Sequence, residues 1–491
     1  MRKPTVLKLT AAIALLGCII IRPAGAQHGL PDNYAFDEVN VILAPGVSID
    51  SINARYGTTV REQIPGTSYY RLGTPGGADG FDVEGEMVGD TDLASTDLNY
   101  TYEQSEVRQV SEAFVDQVSE AFVDGLYPVS FYAQPSIQNL RLSQAQAISK
   151  GAGTTVAVID TGIDFNHPLF AGRIAPAYED FVNNDPNPAD EPGGPASGHG
   201  TFVAGLIALA APQAAIMPLR AFGPDGKGTS FNIAKAIRFA HDHGATIINM
   251  SFGLIELDKT IQDALGYASD TSYMVAAAGN DNLDFLEFPG VVQSRTCAVV
   301  STTATDIKAP FSNYNKNTCV SAPGVSLYSA YPGGNWAYWT GTSFSTALVS
   351  AEAAQMLALN QNIAHSNVTQ IISQSGVSID GLNPAYNGKL GKRMDYLSAV
   401  NAFVTNYTTT YTLSIGRSGN GTVTATPAGV DRAINCGASC SAKYIQGTTV
   451  TLTATPAPGL SFVSWTNGCV SSTPACTLVI EKDATAQANF K

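Results

Sequence analysis

Three short apolar stretches rich in β-branched residues constrain this chain more than any other feature. Thr154–Ile159, Ala214–Arg220 and Ala245–Met250 read as strands with no polar face, and Thr201–Ala211 and Ile233–His243 between them carry helical patterns. A strand without a polar face must be covered on both sides. Strand–helix alternation supplies that cover when the strands run parallel and the helices cross over them. The expectation is therefore an α/β fold with a doubly wound parallel sheet. In such sheets sites form beyond the carboxyl ends of the strands, so polar residues at those ends are the first to weigh.

Four segments place chemistry there. Val156-Ala-Val-Ile-Asp-Thr-Gly162 ends a strand in a carboxylate, Asp160. Gly198-His-Gly-Thr-Phe-Val-Ala-Gly205 puts His199 where a helix begins, between glycines that admit other backbone. Ala276-Ala-Ala-Gly-Asn280 runs a strand into a side-chain amide. Gly341-Thr-Ser-Phe-Ser-Thr346 puts Ser343 at a helix N-terminus, where the backbone N–H and the helix dipole favour an oxyanion. Singly these read as a turn Asp, a structural His, a turn Asn and a Ser cap. Together they supply a nucleophile, a base, a carboxylate to orient the base, and an oxyanion donor.

In this order the segments resemble the subtilisin family of serine proteases, over about residues 136–402. The resemblance implies a serine endopeptidase working through an acyl-enzyme, with Asp160 orienting His199, His199 as base and then acid, and Ser343 as nucleophile. Asn280 and the Ser343 N–H would form the oxyanion hole. It also implies that substrate binds as an added antiparallel strand, read through its main chain and so with broad specificity. Ser251, Phe252 and Gly253 resemble one flank of that strand, and Gly226, Lys227 and Gly228 the other. The chain departs from the family in carrying Phe202, Ala347 and Glu352 where a second His, a Pro and a small apolar residue are usual. Glu352 would need a buried partner or a tilt toward solvent. Thr201–Arg220 has no insertion resembling the family's calcium loop, so no cofactor is expected, with calcium the alternative that this loop does not support. The rivals are an inactive surface-adhesion protein on a protease scaffold, which a complete triad disfavours, and an acid-active Ser-Glu-Asp family, which His199 disfavours.

Charge divides the remainder. Residues 27–135 hold 18 acidic against 4 basic residues, while 136–491 hold 23 against 19. The acidic segment stands where family members carry an inhibitory, fold-assisting propeptide. Val39–Leu43 reads as a strand there and Val47–Tyr56 as a helix, consistent with an α+β unit that inhibits the enzyme until its removal leaves a chain starting within 125–150. The octapeptide QVSEAFVD at 109–116 recurs unchanged at 117–124, a duplication in an exposed, cleavable stretch. Acidic loops such as Asp180–Asp190 read as solvated faces. Residues 1–26 read as an export signal, with Arg2, Lys3 and Lys8 before an apolar run and Ala24-Gly25-Ala26 as cleavage site; lipid attachment at Cys18 is the alternative.

A Thr-rich linker is expected at 404–412, followed by a disulfide-bearing β-rich module at 413–491 that resembles a divergent internalin-B-type bacterial repeat over about 411–491. Four cysteines allow three pairings, of which the local pairs Cys436–Cys440 and Cys469–Cys476 are favoured. Cys297 and Cys319 read as a disulfide or as a pair of buried thiols, and export favours the disulfide. Trp465 reads as core. The expected partners are protein or peptide substrates and the chain's own propeptide, with cell-surface or matrix contact through the module. No basic patch suggests nucleic acid, and the chain is expected to be a monomer.

Overall fold

The computed structural model describes residues 33–104, 122–123 and 128–491. The leader with Cys18 and most of the duplicated octapeptide lie outside the described residues. In the central domain seven strands form one parallel sheet, in the spatial order Val320–Pro323, Thr296–Thr302, Tyr273–Ala277, Ile247–Met250, Thr155–Asp160, Ala215–Arg220 and Glu179–Asp180. Successive residues of one strand bury in opposite layers. Val156 and Val158 face helices His199–Ala210 and Thr342–Leu357, while Ala157 and Ile159 face Ser230–Asp242 and Lys259–Ala268. The fold is thus doubly wound α/β, and the apolar strands are apolar because both faces are covered.

The two helices on the first face are buried along their whole length, which their small-residue composition permits. The short segments Pro135–Gln138 and Leu142–Gln146 belong to the same core through Ile137, Leu140, Leu142 and Ala145. Cys297 and Cys319 are disulfide-bonded, joining the strand Thr296–Thr302 to the approach of its neighbour Val320–Pro323.

The N-terminal unit is α+β. Tyr34–Leu43 runs between Tyr69–Gly73 and Leu93–Glu103, with Thr59–Gln63 at one edge. Helix Ile49–Tyr56 starts on the Ser48 side chain, which accepts from Asp50 N–H, and stops at Gly57, whose φ of 70° favours glycine. The fifth strand of this sheet comes from the central domain: Leu93–Glu103 pairs antiparallel with Lys227–Thr229.

The C-terminal module consists of two four-stranded sheets around Leu413, Val423, Tyr444, Val450, Leu452, Trp465 and Ile480. Trp465 is core, its indole N–H donating to Pro474 O at 3.1 Å. Cys436–Cys440 and Cys469–Cys476 are both bonded. The Thr-rich stretch 404–412 differs from a free linker. Helix Tyr396–Tyr407 occupies its first half and strand Thr410–Ser418 its second, leaving two residues between them. Thr410 and Thr412 belong to the strand, where β-branched residues fit.

Candidate active site

Asp160 ends its strand fully buried, and His199 opens its helix directly opposite. The Asp160 Oδ1 and His199 Nδ1 atoms are 2.7 Å apart, so Nδ1 carries the proton it donates and Nε2 is left as the basic nitrogen. Thr161 N–H also donates to Asp160 Oδ1, at 2.8 Å. The imidazole is fixed by Trp339, edge-on at 5.5 Å between ring centroids, and by Phe344 at 5.4 Å. Phe202, at the position of the missing second His, stacks into the same aromatic group, 4.5 Å from Phe344.

Asp190 is a residue the sequence did not single out. Its carboxyl accepts from Gly198 N–H at 2.9 Å, Thr201 N–H at 3.1 Å and the hydroxyls of Thr201 and Thr161, tying the start of the His199 helix to the end of the Asp160 strand. Burial raises its pKa. Asp180 likewise departs from the solvated-face reading, being fully buried with Arg220 at 2.7 Å. A buried Arg220 needs two acids, and Glu191 supplies the second at 2.7 Å. The exposed character survives only at Asn183–Asn187.

Ser343 is the second residue of helix Thr342–Leu357. Its hydroxyl donates to Ser251 O at 3.0 Å, and the Ser251 hydroxyl donates to Ser343 O at 3.1 Å, locking the segment Ser251–Gly253 beside the nucleophile position. Asn280 follows Gly279, whose φ of 103° is one that L side chains rarely adopt. The Asn280 Oδ1 accepts from Thr342 N–H at 3.1 Å and Thr342 hydroxyl at 2.8 Å. With both of these bonds accepted by Oδ1, the amide nitrogen is the donor end of the side chain. Asn313, also unmarked in the sequence, shapes the turn by accepting from Asp281 and Leu283 N–H at 3.0 and 2.8 Å.

The edge Gly226–Gly228 is occupied. Tyr102 pairs with Gly228 and Glu103 with Lys227, and Gln104 N–H donates to Gly226 O at 2.9 Å. The Gln104 side chain, fully buried, donates from Nε2 to Asp160 Oδ1 at 2.6 Å and lies 3.0 Å from His199 Nδ1. Three donors thus share one carboxylate oxygen: His199 Nδ1, Thr161 N–H and Gln104 Nε2. Tyr102 fills a pocket against Phe252, with ring centroids 5.8 Å apart, and donates its hydroxyl to Asp258 Oδ2 at 3.2 Å. Flanking this strand, Asp97 accepts from Lys259 N–H at 2.6 Å and Asn99 from Phe231 N–H at 3.2 Å, at the N-termini of two helices of the central domain. Glu352, behind the nucleophile, is fully buried. Burial, reinforced by the Asp395 charge and opposed by the Asp395 N–H and the Arg393 charge, pushes its pKa up to about 8.

Comparison with known proteins agrees with this geometry. The subtilase family model matches residues 151–432 and the divergent InlB B-repeat domain matches 411–491. In their overlap the structure favours the repeat, because Thr410 onward pairs within the module's own sheets. The chain is similar to thermitase of Thermoactinomyces vulgaris, 35% identical over 255 residues that cover 50% of this chain and 88% of that protein. It is also similar to a thermophilic serine proteinase of Bacillus sp. (strain AK1), 35% identical over 255 residues covering 50% and 62%. Among solved structures, fervidolysin of Fervidobacterium pennivorans, a keratinolytic enzyme related to subtilisin, superposes with a TM-score of 0.60 at 18% identity, covering 94% of this chain and 79% of that one.

Proposed function

Since this chain belongs to the subtilase family of serine endopeptidases, we propose that it is a secreted zymogen whose N-terminal unit holds the active site shut until self-cleavage. The observation that carries the reading is the strand Thr101–Gln104, laid along the edge at Gly226–Thr229 with the Gln104 amide on Asp160. A substrate replaces that strand and takes up the same main-chain hydrogen bonds. Recognition is therefore sequence-tolerant at the positions that only pair along the edge.

In the open site Asp160 holds the Nδ1 proton of His199, and Nε2 takes the Ser343 proton as Oγ attacks the scissile carbonyl. The carbonyl oxygen, now an oxyanion, receives hydrogen bonds from Asn280 Nδ2 and Ser343 N–H. His199 then returns its proton to the leaving amine, and water releases the acyl group by the same steps in reverse order. Helix His199–Ala210 passes to strand Ala215–Arg220 through four residues, too few for a calcium loop at that place.

The leader and three disulfides suit an oxidising, extracellular compartment, and the C-terminal module is assigned to surface or matrix attachment of a monomer. Intact-mass analysis of the parent beside Ser343→Ala tests the reading. The parent is expected to begin within 125–150 and the variant to stay full length. If both stay full length and neither cleaves casein, the protein is an adhesion module on a protease scaffold. If both are trimmed alike, another enzyme processes it.

A further inference from the structure

The walls beside Ser343 enclose an acidic side chain that the triad does not use. On one side runs Ser251–Gly253, held to Ser343 by the reciprocal serine hydrogen bonds of 3.0 and 3.1 Å. On the other runs Gly279–Asn280, held to Thr342 through Asn280 Oδ1. Glu287 lies between them. It is 1% exposed, and its N–H donates to Ala278 O at 3.1 Å, which hangs it beneath the end of strand Tyr273–Ala277. A methyl carbon added to Gly253 would stand 2.0 Å from Glu287 Oε2, and one added to Gly279 would stand 2.6 Å from Glu287 Cδ. The carboxyl group therefore fills the space into which side chains at Gly253 and Gly279 would project. Both positions must be glycine for it to be there.

We propose that Glu287 is the specificity-determining residue for the substrate side chain on the acyl side of the scissile bond, and that it selects arginine or lysine there. The assignment rests on the protease reading given above. A carbonyl attacked by Ser343 and bonded to Asn280 must lie between these two walls. Its own α-carbon is one bond away, so the side chain on that carbon descends between Gly253 and Gly279 and meets Glu287. An apolar side chain seated there brings no hydrogen bond to a buried acid, which is unfavourable in a site closed to water. A guanidinium or ammonium returns charge-assisted bonds at the same place. Asp281, the residue after Asn280, brings a second carboxylate to this turn, with its N–H held by Asn313 Oδ1 at 3.0 Å. Selection by one buried carboxylate operates at one position only, leaving the strand positions along Gly226–Gly228 tolerant.

The test is hydrolysis of four anilide tetrapeptides, succinyl-Ala-Ala-Pro-X-para-nitroanilide with X as Arg, Lys, Phe or Leu, by the processed parent and by Glu287→Gln and Glu287→Gly. A fluorophosphonate that labels Ser343 counts intact sites in each preparation. The parent is expected to favour Arg and Lys over Phe in kcat/KM by about tenfold or more, and both variants to lower the Arg-to-Phe ratio by about 30-fold or more. A parent that prefers Phe or Leu, or variants that label fully and keep the parent's ratio, would overturn the assignment while leaving the protease intact. Absence of both labelling and hydrolysis in the parent would overturn the protease reading and this one together.

Discussion

Glu352 is the residue at which the fold tolerates most. Its carboxyl binds a proton in the folded state that the unfolded chain has lost above an ordinary glutamate pKa, because burial pushes its pKa up to about 8. The stability this proton represents is complete below the unfolded value and declines as pH rises toward the folded one. We expect Glu352→Gln, made in Ser343→Ala to prevent autolysis, to melt with the parent near pH 5. It should then outlast the parent by an increasing margin to pH 9, amounting to on the order of 4 kcal/mol. Equal melting curves at pH 9 would contradict this. At Asn280, replacement by alanine removes one oxyanion donor and is expected to lower kcat by about 10²–10³ with little change in KM. Residues of this kind were legible because their chemistry demands particular types in short motifs; Asp160 and His199 meet at 2.7 Å from motifs 39 positions apart. Asp190, Asn313 and Glu287 were not, because a polar residue in an irregular loop acquires meaning only from what closes around it.

Among the elements, the strand Leu93–Glu103 most repays attention. Its residues Asp97, Asn99 and Tyr102 are buried, yet the apolar alternation of LASTDLNYTYE is confined to Leu98, Tyr100 and Tyr102, and the polar Asp97 and Asn99 between them read as a solvent face. Its partners are the N-termini of helices Ser230–Asp242 and Lys259–Ala268, and no local pattern reveals a cap supplied from so far along the chain. By contrast, the strand at 39–43 and the helix ending at Tyr56 carry their own core face and stop signal, and both were readable. Burial raises the pKa of Asp97, and burial with the neighbouring Asp97 charge raises that of Asp258. Lys259 opposes the shift at Asp97, while Asp97, Asp258, Glu84 and Glu256 all raise that of the facing Tyr100. Closure of the strand onto the helices therefore takes up protons. Its hold should weaken as pH rises above the usual carboxylate range, by up to about tenfold per unit for each proton bound. Prosegment release, followed by the appearance of activity, should accelerate with pH in the parent and do so less steeply in Asp97→Asn. Parallel profiles would rule this out.

In the whole molecule the acidic N-terminal unit completes its sheet with a strand of the catalytic domain, whereas the C-terminal module closes both its sheets on itself. The module's core draws only on residues 413–490, and it meets the catalytic core through Val430 and Ile445. A chain ending after Thr408 is accordingly expected to process itself and to cleave small peptides within about twofold of the parent, as for a domain with its own core. Loss of folding on that truncation would refute the division. The module's first strand, Thr410–Ser418, enters from the catalytic domain and lies parallel to its last, Ala484–Phe490, paired from Leu413 with Ala484 to Ser418 with Asn489. A pull between the catalytic domain and the chain's end would therefore drag these two strands lengthwise past one another. The six pairs would share that load and yield together, instead of parting one by one as in a hairpin peeled from its open end. Anchored by its tail in a flowing medium, the protease would hang from a joint that resists by shear.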